Sequence, residues 1–220
     1  MSTSEDATRT AYDAVADEYA KQLADELDGK PLDRALLAAF AELAGTGPVA
    51  DIGCGPGHVA AYLAGLGAEP VGIDLSPPMI EIARQRDPGI DFQVGSMLEL
   101  SAATGEFHGA ALMYSIIHLP PADRTLAYRE LARVVRPGGI VLLAFHVSDA
   151  EYAAGDVHQM REMLDQPVEL THYYLDPDDV HAGLTGAGFA EVARLDREPD
   201  PAVEYPSRRS YLLVRRTLDT

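Results

Sequence analysis

The sequence contains one cysteine, Cys54, among its 220 residues. A disulfide bond within the chain is therefore impossible, and we expect a protein of the reducing cytoplasm. No run of about 18 apolar residues occurs, so we expect no membrane-spanning helix. The first residues after Met1 are polar or acidic, and they do not show the pattern of a signal peptide.

Positive charge is also scarce. Lysine and arginine together number 17 against 35 acidic residues, which gives a formal net charge of -18. Such an acidic surface repels phosphate backbones and anionic lipids, so we expect neither nucleic acid nor a membrane as partner. The expected partner is a small molecule. Both a monomer and a homodimer are compatible with the sequence.

The chain is organised around an apolar strand at residues 49–52 that leads into a glycine-rich loop and a helix. Gly53, Gly55 and Gly57 allow positive φ angles and close approach of a ligand, and the following helix offers free amide donors. A second apolar strand ends at Asp74, whose carboxylate can accept hydrogen bonds from both hydroxyls of a ribose. The pattern indicates a pocket for a nucleoside-containing cofactor, unless Asp74 only caps the helix that begins near Ser76.

Apolar segments at residues 49–52, 70–73, 90–94, 107–114 and 140–145 alternate with helical patterns, which predicts a parallel sheet covered on both faces. Two further strands, at 189–195 and 210–216, follow each other without a helix and are expected to be antiparallel. The predicted fold class is α/β, a Rossmann-like three-layer sandwich. Its seven-stranded sheet is mostly parallel, with one antiparallel strand near the C-terminus.

We expect a single domain over residues 1–220, with a loose tail at 1–8. Helices within residues 1–44 are expected to form an N-terminal lid. Residues 147–175 interrupt the regular alternation and are predicted to be an insertion on the substrate side. Within it, the spacing of Met160 and Met163 suggests one turn of helix, and the alternation from Val168 predicts a short strand.

Asp51 helps to distinguish between nucleoside cofactors. Its carboxylate lies two residues before Gly53, where it would repel a pyrophosphate and attract an ammonium group. This favours S-adenosylmethionine, whose methionine part carries an ammonium and a sulfonium. The alternative is that nearby backbone amides bind the carboxylate and that it has a structural role.

The segment DIGCGPG at 51–57, with GIDLS at 72–76, resembles the class I S-adenosylmethionine-dependent methyltransferases. LARVVRPGG at 131–139 is similar to a late motif of that family, and YDAVADEY at 12–19 is similar to its N-terminal cofactor lid. The resemblance implies S-adenosylmethionine as cofactor and methyl transfer to a small molecule. The expected cofactor contacts are Tyr12, Tyr19, Asp51, Gly53, Gly55, Gly57, Asp74, Leu75, Met79, Ser96, Met97, Leu98 and Tyr114.

Methyl transfer is an in-line displacement in which the protein mainly positions the acceptor, and some acceptors need a base. His118 and His146 are candidate catalytic bases because each falls near the carboxyl end of a strand, where ligands bind in open α/β sheets. No metal is expected. The expected substrate contacts are Tyr114, His118, His146, Met160, Met163, His172 and Tyr173.

Two other functions are compatible with parts of the pattern. Ser96 stands where the family usually has an aspartate, and this difference leaves open a protein that binds S-adenosylmethionine without methylating or that uses it for another reaction. A nicotinamide-dependent oxidoreductase is disfavoured by Asp51 and the antiparallel ending. The segment from Tyr114 to His118 lacks the Asn/Asp-Pro-Pro-Tyr/Phe tetrapeptide of enzymes that methylate base amines. The identity of the acceptor, and which of its atoms is methylated, are not given by the sequence.

Overall fold

The computed structural model describes residues 3–218. They form a seven-stranded sheet and a separate two-stranded hairpin. The strands are β1 (Pro48–Ile52), β2 (Glu69–Asp74), β3 (Asp91–Val94), β4 (Phe107–Met113), β5 (Val135–Ser148), β6 (Val157–Met163), β7 (Gln166–Tyr173), β8 (Phe189–Arg197) and β9 (Arg208–Arg216). The helices are α1 (Thr3–Gln22), α2 (Pro31–Ala44), α3 (His58–Gly65), α4 (Pro77–Arg86), α5 (Pro121–Val134) and α6 (Pro177–Gly186), with short 3-10 turns at Glu26–Gly29 and Ile116–His118.

The strand order in the large sheet is β3-β2-β1-β4-β5-β9-β8. Strands β1 to β5 pair in parallel, whereas β9 runs antiparallel to both of its neighbours. The predicted seven-stranded, mostly parallel sheet with one antiparallel strand is therefore confirmed. The chain order reverses between β1 and β4, and the carboxyl ends of strands beside such a point form the usual ligand crevice of open α/β sheets.

Successive side chains of the central strands point to opposite faces of the sheet. Val141, Leu143 and Phe145 of β5 pack with α5 and α6, while Ile140 and Leu142 pack with α2 and α3. All five are fully buried. The continuous apolar run in β5 thus supplies two cores, as expected for a strand covered on both faces.

The hairpin formed by β6 and β7 corrects the prediction of a helix at Met160 and Met163. Both methionines lie in β6, and the pairing with β7 shifts register between Met160 and Glu162. Such a bulge lets residues three apart reach one face of a strand. Leu164 and Asp165 form the turn with positive φ angles of 52° and 61°, which suits a tight two-residue hairpin turn.

Helix α1 packs against this hairpin, with Ala11 buried between Val168 and Leu170. Because α1 begins at Thr3, the expectation of a loose tail is wrong for residues 3–8, and residues 1–2 lie outside the described part of the chain. Among the described residues, no helix is both long enough and apolar enough to cross a bilayer.

Candidate cofactor and acceptor site

A cavity of about 100 Å³ lies at the carboxyl ends of β1, β2 and β4, beneath α1. The structure brings most of the predicted cofactor residues to its wall. These are Tyr12, Tyr19, Gly53, Gly55, Asp74, Leu75, Met79, Met97 and Tyr114, together with His118.

Asp74 is held in place at the end of β2 by two backbone amides. The Gly55 N–H donates to Oδ2 at 2.8 Å, and the Ser76 N–H donates to Oδ1 at 2.8 Å. Each carboxylate oxygen keeps a further lone pair for a ligand hydroxyl. Burial raises the pKa of Asp74 above its usual value, and the two amide hydrogen bonds act in the opposite direction.

The three loop glycines serve different purposes. Gly53 has φ 76°, and a Cβ there would lie 2.3 Å from Cβ of Ser115. Gly57 lies outside the cavity lining, and a Cβ on it would meet the Phe92 ring at 2.8 Å, so the structure gives it a packing role. A Cβ on Gly55 would have only Tyr19, at 4.0 Å, as a neighbour, so Gly55 is the residue that leaves space for a ligand.

Asp51 is buried behind the glycine loop, with 1 % of its surface exposed, and it lines neither of the two cavities at the site. Burial raises its pKa to about 7, while His58 and a hydrogen bond from the Ala60 amide act to lower it. Its Oδ2 atom has no hydrogen-bond partner among the described residues. One carboxylate oxygen therefore accepts a hydrogen bond from the backbone, and the other is a buried acceptor without a donor among the described residues.

A second cavity of about 540 Å³ adjoins the first. The two share Tyr19, Gly53, Gly55, Met113 and Tyr114 as their boundary. Together they form one crevice, in which an elongated ligand can pass along the glycine loop from Asp74 toward α2.

Lys30 is a buried cation in the wall of the second cavity, with 7 % of its surface exposed. Its ammonium donates to Oε1 of Glu26 at 2.5 Å and lies 5.4 Å from the Tyr114 ring centroid. His58 takes the other oxygen of Glu26 at 2.9 Å. An ammonium has three donors, and among the described residues only Glu26 accepts one, so two are available to a ligand.

Tyr114 follows β4 with φ 59°, which is an uncommon, strained conformation for a bulky residue. Its hydroxyl lies 2.7 Å from that of Tyr211 and 3.3 Å from Oδ2 of Asp33. Tyr211 in turn donates to Oδ1 of Asp33 at 2.7 Å. These contacts fix the Tyr114 ring at the boundary of the two cavities.

His118 has both ring nitrogens engaged. Nδ1 lies 2.8 Å from the Thr171 carbonyl oxygen, which can only accept, so Nδ1 carries the proton. Nε2 then accepts from the Tyr12 hydroxyl at 2.8 Å. Burial lowers the pKa of His118 to about 4. This structure therefore argues against His118 as the catalytic base, because its lone pair is already used.

His146 lines the second cavity and belongs to a row of aromatic rings. Its ring centroid is 5.0 Å from that of Tyr114 and 5.2 Å from that of His172. His172 stacks on Tyr174 at 4.7 Å. Burial lowers the pKa of His172 to about 4, and its Nε2 is buried without a hydrogen-bond partner among the described residues. The His172 ring thus contacts the His146 ring, but His172 lines neither cavity.

The remaining predicted contacts lie outside both cavities. Ser96 binds Glu5 through its hydroxyl and accepts from the Leu98 amide at 3.0 Å. Met160 and Met163 pack against α1. The Arg124 guanidinium lies over the Tyr173 ring. The described contacts of these side chains are with other parts of the protein.

Several lining residues were not foreseen. Glu5 and Thr8, which lie in the predicted loose tail at 1–8, and the neighbouring Arg9 reach the first cavity from the first turns of α1. Lys30 is one of only two lysines in the sequence, and this rarity could have identified it as a candidate site residue. Among the described residues no group of three or more potential metal ligands is arranged to hold a metal ion.

The geometry defines an α/β fold with a crevice at its switch point, and comparisons with known proteins agree. Residues 49–139 match the family model described as "Methyltransferase domain". The chain is 35 % identical over 113 residues to the ubiquinone biosynthesis O-methyltransferase of Xanthomonas oryzae pv. oryzae (strain PXO99A), which covers 49 % of this chain and 46 % of the relative. The match thus spans about half the length of that relative.

Two solved structures share the fold across most of the chain. The 1,6-didemethyltoxoflavin-N1-methyltransferase of Burkholderia thailandensis, solved with S-adenosylhomocysteine, has a TM-score of 0.72 at 20 % identity and covers 96 % of this chain and 88 % of its own. The [4+2]-cyclase SpnF has a TM-score of 0.75 at 19 % identity and covers 96 % of both chains. By this domain match and this shared fold, the chain is similar to the S-adenosylmethionine-dependent methyltransferases.

Proposed function

We propose that this protein transfers a methyl group from S-adenosylmethionine to a small-molecule acceptor. The observation that carries the proposal is the Asp74 carboxylate, which two backbone amides hold at the cavity wall beside Gly55. A fixed carboxylate at the end of the second strand suits the paired hydroxyls of a ribose. The match of residues 49–139 to the methyltransferase domain model supports the same function.

The residues of the crevice fit a nucleoside with an amino-acid tail. Leu75, Met79 and Met97 offer an apolar slot for the adenine in the first cavity. The tail would extend past Gly55 into the second cavity, where Lys30 has two unused donors for a carboxylate. Asp51 is buried behind the glycine loop, and its ionised form would favour the ammonium and the sulfonium without direct contact.

S-adenosylmethionine supplies an electrophilic methyl group on a sulfonium, so the protein needs mainly to orient an acceptor in line with it. Tyr19, Met113 and Tyr114 form the boundary between the cavities and would surround the transferred methyl group. The acceptor would occupy the rest of the second cavity. We propose that α1 acts as a lid, because it covers the first cavity and its Asp13 accepts a hydrogen bond from the Ser76 hydroxyl at 2.6 Å.

The net charge of -18 supports a small metabolite over a nucleic acid as acceptor. A cytoplasmic location is part of the proposal and rests on the single cysteine, Cys54, which is buried. Both a monomer and a homodimer are compatible with it.

Calorimetry with S-adenosylhomocysteine tests the cofactor site. Asp74→Ala should weaken binding by about tenfold or more, because it removes two charge-assisted hydrogen bonds to the ribose. Glu69→Ala is the matched control, since Glu69 is exposed at the opposite end of the same strand. Unchanged affinity in Asp74→Ala, or tighter binding of NAD than of S-adenosylhomocysteine by the wild type, would sink the assignment.

A protein that binds the cofactor without methylating is the second candidate, because a protein described as a [4+2]-cyclase shares this fold. The two candidates differ in one product. Methyl transfer converts S-adenosylmethionine to S-adenosylhomocysteine, whereas a purely structural cofactor is recovered unchanged.

A further inference from the structure

His146 contacts Ser207 with one ring nitrogen and faces the second cavity with the rest of its ring. The Ser207 hydroxyl lies 2.5 Å from Nδ1 of His146, and Ser207 is completely buried. Among the described residues, that nitrogen is the only hydrogen-bond partner of the hydroxyl. A buried hydroxyl needs an acceptor for its proton. Ser207 therefore donates to Nδ1, and Nδ1 carries no hydrogen.

A neutral imidazole with a bare Nδ1 has its hydrogen on Nε2. The ring is neutral because burial, followed by electrostatic interactions with His172, Arg209, Lys30 and His118, lowers its pKa well below the usual value. Nε2 of His146 has no hydrogen-bond partner among the described residues. Unlike Nε2 of His172, it is not fully buried from solvent. His146 thus presents an N–H donor to the acceptor cavity, and it has no free lone pair there.

Two buried cations lie near the same position. Lys30 and Arg209 both line the second cavity, at 5.4 Å and 5.7 Å from the Tyr114 ring centroid. Four acids line this cavity, and three of them are engaged: Glu26 with Lys30 and His58, Asp33 with Tyr211, and Glu204 with Arg197 and Arg209. The fourth, Asp25, is exposed to solvent. Because Lys30 is assigned to the cofactor carboxylate, the groups that remain beside His146 for an anionic oxygen are its own Nε2–H and Arg209.

We propose that the acceptor presents an anionic oxygen, such as a phenolate or an enolate, to Nε2–H of His146, which holds that oxygen and does not deprotonate it. This rests on the proposed function. The oxygen lone pair forms the new bond to the methyl carbon, the carbon–sulfur bond breaks with its electron pair going to sulfur, and no proton needs to reach the protein. The prediction of His146 as a general base is replaced by that of a positioning donor.

The tautomer can be read directly, with or without cofactor. In a long-range proton–nitrogen correlation spectrum of protein with nitrogen-15-labelled histidine, His146 should show a protonated Nε2 and a bare Nδ1 at neutral pH. The signals are assigned by their loss in His146→Gln. A protonated Nδ1, or a charged ring at neutral pH, would overturn the proposal.

The preference for an anion is tested with para-nitrophenol on protein saturated with S-adenosylhomocysteine. The wild type should bind the phenolate about tenfold more tightly than the phenol, as expected for one charge-assisted hydrogen bond. His146→Gln, which keeps an N–H donor, should retain most of this preference, and His146→Leu should lose it. Equal affinity for both forms, no binding of either, or equal loss in both variants would contradict the proposal.

The affinity for S-adenosylhomocysteine is measured in the same samples. If the cofactor does not bind, the proposed function fails. If it binds normally while the tautomer or the phenolate preference is wrong, only the role of His146 fails.

Discussion

At the scale of single residues, the site is built from buried polar groups whose hydrogen bonds decide their protonation. His118 and His146 are both neutral, but His118 uses its lone pair on Tyr12 while His146 uses its lone pair on Ser207. The residue types at these positions were visible in the sequence. Their tautomers depend on Thr171 and Ser207, which are distant in the chain, so sequence patterns could not reveal them.

His172 predicts an acid-dependent loss of stability. Its pKa is lowered from 6.5 to about 4 in the folded protein, so the unfolded chain binds more protons between these values and stability falls as pH falls through that window. His172→Phe keeps the ring stack and removes this proton uptake. On acidification over this range, we expect the unfolding free energy of the wild type to fall more than that of His172→Phe. The expected difference is up to about 2 kcal/mol.

Denaturant unfolding at several pH values between 6.5 and about 4 measures this difference. His181→Phe is the control, because His181 is an exposed histidine with 40 % of its side chain accessible. Parallel pH curves for the wild type and His172→Phe would contradict the account.

Asp51 predicts the opposite dependence. Its pKa is raised from 3.8 to about 7, so the folded protein binds the extra proton and is destabilised as pH rises through this window. Asp51→Asn should therefore be more stable than the wild type above pH 7, by about 1–3 kcal/mol, with a gain that shrinks on acidification. The same variant should bind S-adenosylmethionine more weakly. A gain in stability that is independent of pH would exclude the buried charge as its cause.

At the scale of elements, most of the fold could be predicted because apolar strands and amphipathic helices alternate regularly. Two elements escaped prediction. Strand β6 was missed, whereas its partner β7 matches the short strand predicted from Val168. A bulge in β6 gives Met160 and Met163 helix-like spacing, and the Leu164-Asp165 turn of the β6–β7 hairpin lacks the Asn-Gly signature of tight hairpins. The start of α1 is polar, and its helical state depends on packing against this hairpin and on covering the cavity.

The closure of α1 over the site can be tested at Asp13. Its carboxylate accepts a hydrogen bond from Ser76, the N-cap of α4, at 2.6 Å. Asp13→Ala should weaken S-adenosylhomocysteine binding by about three- to tenfold, because one hydrogen bond that fixes the lid is lost. Asp17→Ala, an exposed acid on the same helix, should leave calorimetric affinity unchanged. Equal effects of both changes would argue against a lid held by Asp13.

At the scale of the whole molecule, the acidic charge is expected to oppose folding. A net charge of -18 produces repulsion between exposed groups, and salt screens it. The thermal midpoint should therefore rise when sodium chloride is increased from about 10 mM to about 150 mM. A falling midpoint would show that buried ion pairs such as Arg197–Glu204 outweigh the surface repulsion.

The whole fold does not by itself select a reaction. Structures described as a methyltransferase and as a cyclase match this chain about equally well, which is expected because chemistry depends on the residues of the site and not on the architecture. The sequence could identify the cofactor crevice from its glycine loop and Asp74. The acceptor cavity brings Lys30, His146 and Arg209 together from three separate elements, so only the folded structure reveals it.

The most direct test of the central claim is transfer of a labelled methyl group. The protein is incubated with S-adenosylmethionine carrying a deuterated methyl group and with a metabolite extract, and the products are resolved by mass spectrometry. At a cofactor concentration near the wild-type Kd, we expect S-adenosylhomocysteine and one or more labelled metabolites with the wild type and with Glu69→Ala, and much less of both products with Asp74→Ala. Tight cofactor binding with no S-adenosylhomocysteine formed, or equal labelling with Asp74→Ala, would contradict the account.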